Sequence, residues 1–161
     1  YIHSYTTDPK SAALALKYYD QAIAANQDKS WLYLNRGSIK KLQKQFKEAI
    51  ADFDKADQLT MRETKHHHAM ALALKTQCLG QLKMYEDCIK LGDSIKSEAL
   101  PDLLKTDLLE ETGLAKLSLN KEKDAIADFS QALKMLATAE PHSYTKQASQ
   151  AAIGRLYYLR G

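Results

Sequence analysis

The chain has 161 residues, 45% of them apolar and 27% charged, with a formal net charge of +3. That charge is too mild for a nucleic-acid binder, which concentrates positive residues on one face. No apolar run approaches the roughly 18 residues of a membrane span. Two cysteines exclude a dense disulfide framework, and three Pro with six Gly are too few for long disordered linkers.

The opening Tyr1-Ile2-His3 has neither Met nor a signal-like apolar stretch, so it reads as a processing or expression boundary. Asp8-Pro9 reads as a helix start, with Asp as cap and Pro in the first turn. This helix runs to about Asn26, its apolar face carrying Leu14, Ala15, Tyr18 or Tyr19, Ala22 and Ile23. Residues 26–29 make a turn, and Ser30 is placed to cap a helix from Trp31 to Lys44. Phe46 to Leu59 returns as its hairpin partner. Lys40, Lys41, Lys44 and Lys47 cluster around the turn and read as a solvated helix end rather than a phosphate patch.

After a connector at 60–64, Lys65 to Lys83 read as one long helix and Tyr85 to Lys96 as its partner. Pro101-Asp102 opens a helix to Leu119, Asn120-Lys121 makes a tight turn, and Glu122 to Leu136 returns. Pro141 marks a boundary before a last helix, His142 to Arg160, with Ile153, Leu156, Tyr157 and Tyr158 on its apolar side. That helix caps the fold if the natural protein ends near Gly161, and is the start of a further unit if it continues.

One pattern organises these elements. Gly37 lies mid-helix, where a lone Gly costs about 1 kcal/mol against Ala unless a neighbouring backbone comes close. The partner helix offers Ala49, Phe53 and Ala56 on one face, at i, i+4 and i+7. Gly113 is followed by Ala125, Phe129 and Ala132 at the same offsets, within a second copy of the word Ala-Ile-Ala-Asp-Phe. Weaker copies are Thr76, Cys88, Gly92 and Ile95 in the middle and Ala15, Tyr19 and Ala22 near the start. Ile153-Gly154-Arg155-Leu156-Tyr157 matches a first helix without its partner.

This pattern resembles the tetratricopeptide repeat, a helical hairpin with a small residue in its first helix and an Ala, aromatic, Ala face on its second. The equivalent residues Ala15, Ala49, Cys88 and Ala125 are 34, 39 and 37 residues apart. The first interval is the family's repeat length, and the longer ones imply helices extended by about a turn or longer connectors. The resemblance implies an all-α, right-handed superhelix of about eight antiparallel helices in one domain over 1–161. Its units are a partial repeat at 8–26, hairpins at 30–61, 65–97 and 102–138, and a terminal helix at 142–160.

The residues offer little chemistry. Consecutive helical residues point about 100° apart, so His66, His67 and His68 do not converge on one metal ion. Cys78 and Cys88 stand where small apolar residues are expected and read as buried thiols, although their helices are close enough for a disulfide. The glycines are scattered singly, with no phosphate-cradling loop. No cofactor and no enzymatic activity are expected.

The resemblance implies that first helices line a concave groove where a partner peptide lies. The register places Leu34, Asn35, Ser38 and Lys41 there, with Ala73, Leu74 and Gln77, then Asp107, Glu110, Glu111 and Leu114, then Ala151 and Arg155. The family's clamp for an acidic C-terminal tail needs Lys, Asn and Arg on successive first helices. Asn35 matches, but Lys65 and Ala69, or Met70 and Leu74, stand where Lys and Arg should. Three carboxylates on one stripe instead favour a partner segment bearing Lys or Arg. The expected function is a non-catalytic protein-interaction module. A secretion or assembly chaperone and a fragment of a larger multidomain protein are the alternative readings.

Overall fold

A computed structural model describes residues 8–60, 65–98 and 100–138, and within them seven α-helices and no strand. They are α1 (Pro9–Ala25), α2 (Ser30–Leu42), α3 (Phe46–Thr60), α4 (Lys65–Gln81), α5 (Tyr85–Ile95), α6 (Asp102–Ser118) and α7 (Glu122–Thr138). The expected terminal helix at 142–160, with Ala151 and Arg155, lies outside the described residues.

Local chemistry accounts for the helix ends. The Asp8 carboxylate accepts from the Ser11 N–H at 2.9 Å, with Pro9 in the first turn as expected. Ser30 behaves differently. It is the first helical residue, with Lys29 at the cap position, and its buried hydroxyl shares a hydrogen bond with His67 Nδ1 at 3.1 Å. A tertiary partner has taken the hydroxyl that capping would have used.

The three hairpins turn in the same way. Lys44, Lys83 and Asn120 all adopt positive φ, at 60°, 61° and 58°. Each stands seven positions after Gly37, Thr76 or Gly113. The next N–H then reaches five residues back in each case: Gln45 to the Lys40 carbonyl, Met84 to Leu79, and Lys121 to Lys116. This is a left-handed helix terminus that satisfies orphan carbonyls. α4 and α6 hold 17 residues against 13 in α2. Their extra turn precedes Thr76 and Gly113, which accounts for much of the longer spacing.

Packing follows the small-residue pattern. Phe53 and Phe129 are fully buried. A methyl group on Gly37 would come within 2.8 Å of Phe53 Cε1, and one on Gly113 within 2.4 Å of Phe129 Cε1. The middle hairpin exchanges the two sizes: Thr76 stands where the glycine stood, and Gly92 where the phenylalanine stood. A methyl on Gly92 would meet Thr76 Cγ2 at 3.2 Å and Thr112 Cγ2 at 2.2 Å. Successive helices from α1 to α7 pack pairwise, and α2 also touches α4, as α4 touches α6. α3 and α5, or α5 and α7, make no comparable contact.

The face of α1 differs from expectation. Leu14 and Tyr18 are 52% and 61% exposed, and Ala12 is the buried residue, in line with half-buried Ala15, Tyr19, Ala22 and Ile23. Among the described helices α1 packs on α2 alone, so a single narrow stripe is covered.

The repeated word also carries a polar role that periodicity did not indicate. Asp52 is buried, accepts from Arg36 Nε at 2.9 Å and pairs with Lys40 Nζ at 2.8 Å. Asp128, its equivalent, pairs with Lys116 at 2.8 Å and Lys96 at 2.6 Å and accepts from Thr112 Oγ1 at 2.9 Å. In the middle hairpin Leu79 and Leu91 stand where these Lys and Asp residues stand.

Candidate functional site

The last turn of α2, the second half of α4 and the middle of α6 surround an open groove of about 500 Å³. Six of the residues placed there from the sequence line it: Lys41, Gln77, Asp107, Glu110, Glu111 and Leu114. Leu42, Lys44, Phe46 and Gln81 complete it. Gln81 is one helical turn beyond Gln77, so the same stripe extended would have reached it. The other three close the groove at the α2–α3 turn, whose inward approach has no periodic signal.

The remaining candidates do not line this groove. Leu34 is 6% exposed and belongs to the core around Phe53, against which Leu74 also packs, and Ala73 is fully buried beside Ile95 and Leu108. For Leu34 and Ala73 the expectation of groove exposure is corrected: neighbouring first helices touch, and side chains at that interface become packing. Ser38 donates its hydroxyl to the Leu34 carbonyl at 2.8 Å in its own helix, and Asn35 is half-buried. Arg155 and Ala151 lie outside the described residues.

Burial sets the electrostatics. Glu111 rests over Gly80, where a methyl group would stand 2.0 Å from its Oε1. Desolvation pushes its carboxyl up to about 7, with Glu110 and Asp107 adding to the rise, while the Gln81 amide and Lys41 oppose it. Gln81 Nε2 reaches Glu111 Oε1 at 3.4 Å. Burial likewise draws Lys41 below the usual lysine value, against the attraction of Asp107 and Glu111. Lys41 Nζ donates to Gln77 Oε1. An ammonium has no acceptor, so this contact fixes the orientation of the Gln77 amide. Gln77 Nε2 is buried and has no hydrogen-bond partner among the described residues.

The four clustered lysines separate. Lys40 turns to Asp52, Lys41 to Gln77, Lys44 stands at the groove's end, and Lys47 lines a different cleft. The histidines also diverge: His67 meets Ser30 of α2, while His68 Nδ1 meets the Asp57 carboxylate of α3. Cys78 and Cys88 are buried free thiols, and burial pushes them up to about 11 and about 12, so neither is a thiolate at neutral pH. No described helix is long and apolar enough to cross a membrane.

The site and fold define a chain of all-helical hairpins carrying an acidic, partly apolar groove. No protein-family model matches the chain, and no curated protein is significantly similar to it.

Proposed function

We propose that the chain is a tetratricopeptide-like superhelix, with α2, α4 and α6 on its inner side, whose groove binds a partner polypeptide through a basic side chain. One observation carries this reading: Asp107, Glu110 and Glu111 converge with Gln77, Lys41 and Leu114 from three first helices around one open groove. The inner placement of those helices is supported by their mutual contacts, which their hairpin partners do not match among the described residues. A stack whose first helices approach more closely than its second helices curves toward the first.

Binding divides among the lining groups. Leu42, Phe46 and Leu114 supply apolar contact, and the three carboxylates outnumber Lys41 and Lys44, favouring Lys or Arg on the partner. The role is non-catalytic: the titratable groups sit in an open groove rather than a closed pocket.

Titration with lysine-rich and glutamate-rich peptides of equal length tests this. The lysine-rich peptide should bind the parent chain and lose about tenfold in affinity for each half-buried carboxylate neutralised by Asp107→Asn or Glu111→Gln. Equal binding of both peptides, or unchanged affinity in both variants, would overturn the reading.

A further inference from the structure

Two clefts open away from the groove, at equivalent places in successive hairpins. One lies between α3 and α5 over α4, the other between α5 and α7 over α6. On α4 the first uses Lys75 and Leu79, about 200° round the helix from Gln77 and Gln81 of the groove. Ile50 of the first cleft matches Ile89 of the second, and Asp87 matches Asp124, so the two can be compared position by position.

Their chemistry is opposite. In the second cleft Lys116 and Lys96 bind Asp128 and Asp93 at 2.6–3.1 Å, spanning its walls with ion pairs. In the first, Leu79, Met84 and Leu91 stand in place of Lys116, Lys121 and Asp128, with Leu82 beside them. No ion pair crosses its floor among the described residues, and about 570 Å³ stays open against about 360 Å³ in the second. An apolar cavity of this size on the surface is unfavourable to leave wet. Its rim is basic: Lys47, Lys75 and Lys90 face one acid, Asp87. Lys75 is held by Asp54 at 2.5 Å, whereas exposed Lys47 and Lys90 have no ion-pair partner among the described residues.

We infer that the cleft between α3 and α5 is a second docking site, taking a partner polypeptide that inserts a bulky aliphatic or aromatic side chain flanked by acidic residues. The buried side chain covers Leu79, Met84 and Leu91, and the flanking carboxylates meet Lys47 and Lys90. The partner's charge is thus opposite to that suited to the groove, so the two faces of α4 discriminate between segments.

A random peptide library selected on the intact chain carrying Asp107→Asn and Glu111→Gln, which weakens the groove, tests the site. The expected consensus is a large apolar residue between acids, and a synthetic peptide of that consensus should shift the methyl resonances of Ile50, Leu79, Met84 and Leu91. Reversing the exposed pair with Lys47→Glu and Lys90→Glu should weaken it by about tenfold or more. Met84→Lys, which installs the charge found at the equivalent Lys121, should weaken it too, with circular dichroism confirming that both variants fold. A basic consensus, no consensus, shifts confined to the groove, or affinity untouched by charge reversal would overturn the proposal. Octanoate moving the same methyls while no acidic peptide does would also overturn it, leaving a lipid-like ligand instead.

Discussion

Gly113 lies beneath the ring of Phe129, where an added methyl group would stand 2.4 Å from Cε1 and 2.8 Å from Cζ. Phe129 is fully buried, so the ring has nowhere to retreat. Gly113→Ala should therefore lower stability by about 2 kcal/mol, outweighing the roughly 1 kcal/mol that Ala gains in helix propensity. Gly37→Ala, whose nearest contact is 2.8 Å, should cost less. Urea denaturation measures both, and a Gly113→Ala chain as stable as its parent would refute the close approach.

The hairpin turns give a prediction of opposite sign. Lys44 and Lys83 hold φ near +60°, a region that glycine enters without the clash of a Cβ. Lys83→Gly should stabilise by about 1 kcal/mol. Asn120→Gly should gain less, because asparagine tolerates this conformation better than lysine. Thermal melts of the single variants would show the order.

Asp128 joins Lys116, Lys96 and Thr112, and both Asp128 and Lys116 are largely buried. Removing the acid alone, in Asp128→Ala, leaves a buried ammonium with only Asp93 and should cost about 3 kcal/mol. Replacing both, in Lys116→Leu with Asp128→Leu, should cost much less, since Leu79 and Leu91 already stand in those places in the neighbouring hairpin. A double-mutant cycle by chemical denaturation isolates the coupling.

Glu111 predicts a pH dependence. Its folded carboxyl titrates at about 7 against an ordinary 4.5, so the folded chain holds this proton more tightly. Its contribution to stability is complete below about pH 4.5 and is lost as pH rises through about 7. Allowing for partial exposure, the loss is about 1 kcal/mol, and Glu111→Gln should remove that slope. Denaturation curves across this range for parent and variant measure it. In the proposed function a basic partner favours ionised Glu111, so binding should release a proton and tighten across the same range, which calorimetry in buffers of different ionisation heat would detect.

Much of the architecture was legible because hairpins are local objects. Spacing of small and aromatic residues located six helices within a few residues of their ends, and Asp8-Pro9 marked the start of α1. The α1 face was placed less well: Leu14 and Tyr18 belong to a stripe that needs a second neighbour, and among the described residues α1 has one. In the candidate groove, Gln77, Asp107, Glu110, Glu111 and Leu114 came from the register of one stripe, whereas Phe46 and Lys44 enter through a turn. Leu34 and Ala73 share that stripe in sequence but lie where first helices touch.

Sequence by itself determined the helices, their pairing into hairpins and the equivalence of Gly37 with Gly113, since these depend on side-chain size repeated at fixed intervals within a few turns. Only the tertiary structure decided what the intervals do not encode. It showed that Asp52 and Asp128 are buried among cations, that Glu111 is desolvated over Gly80, and that one outer cleft is spanned by ion pairs while its counterpart is apolar. Each of these depends on the distance between helices far apart in the chain, and burial and charge act through that distance rather than through position in the sequence.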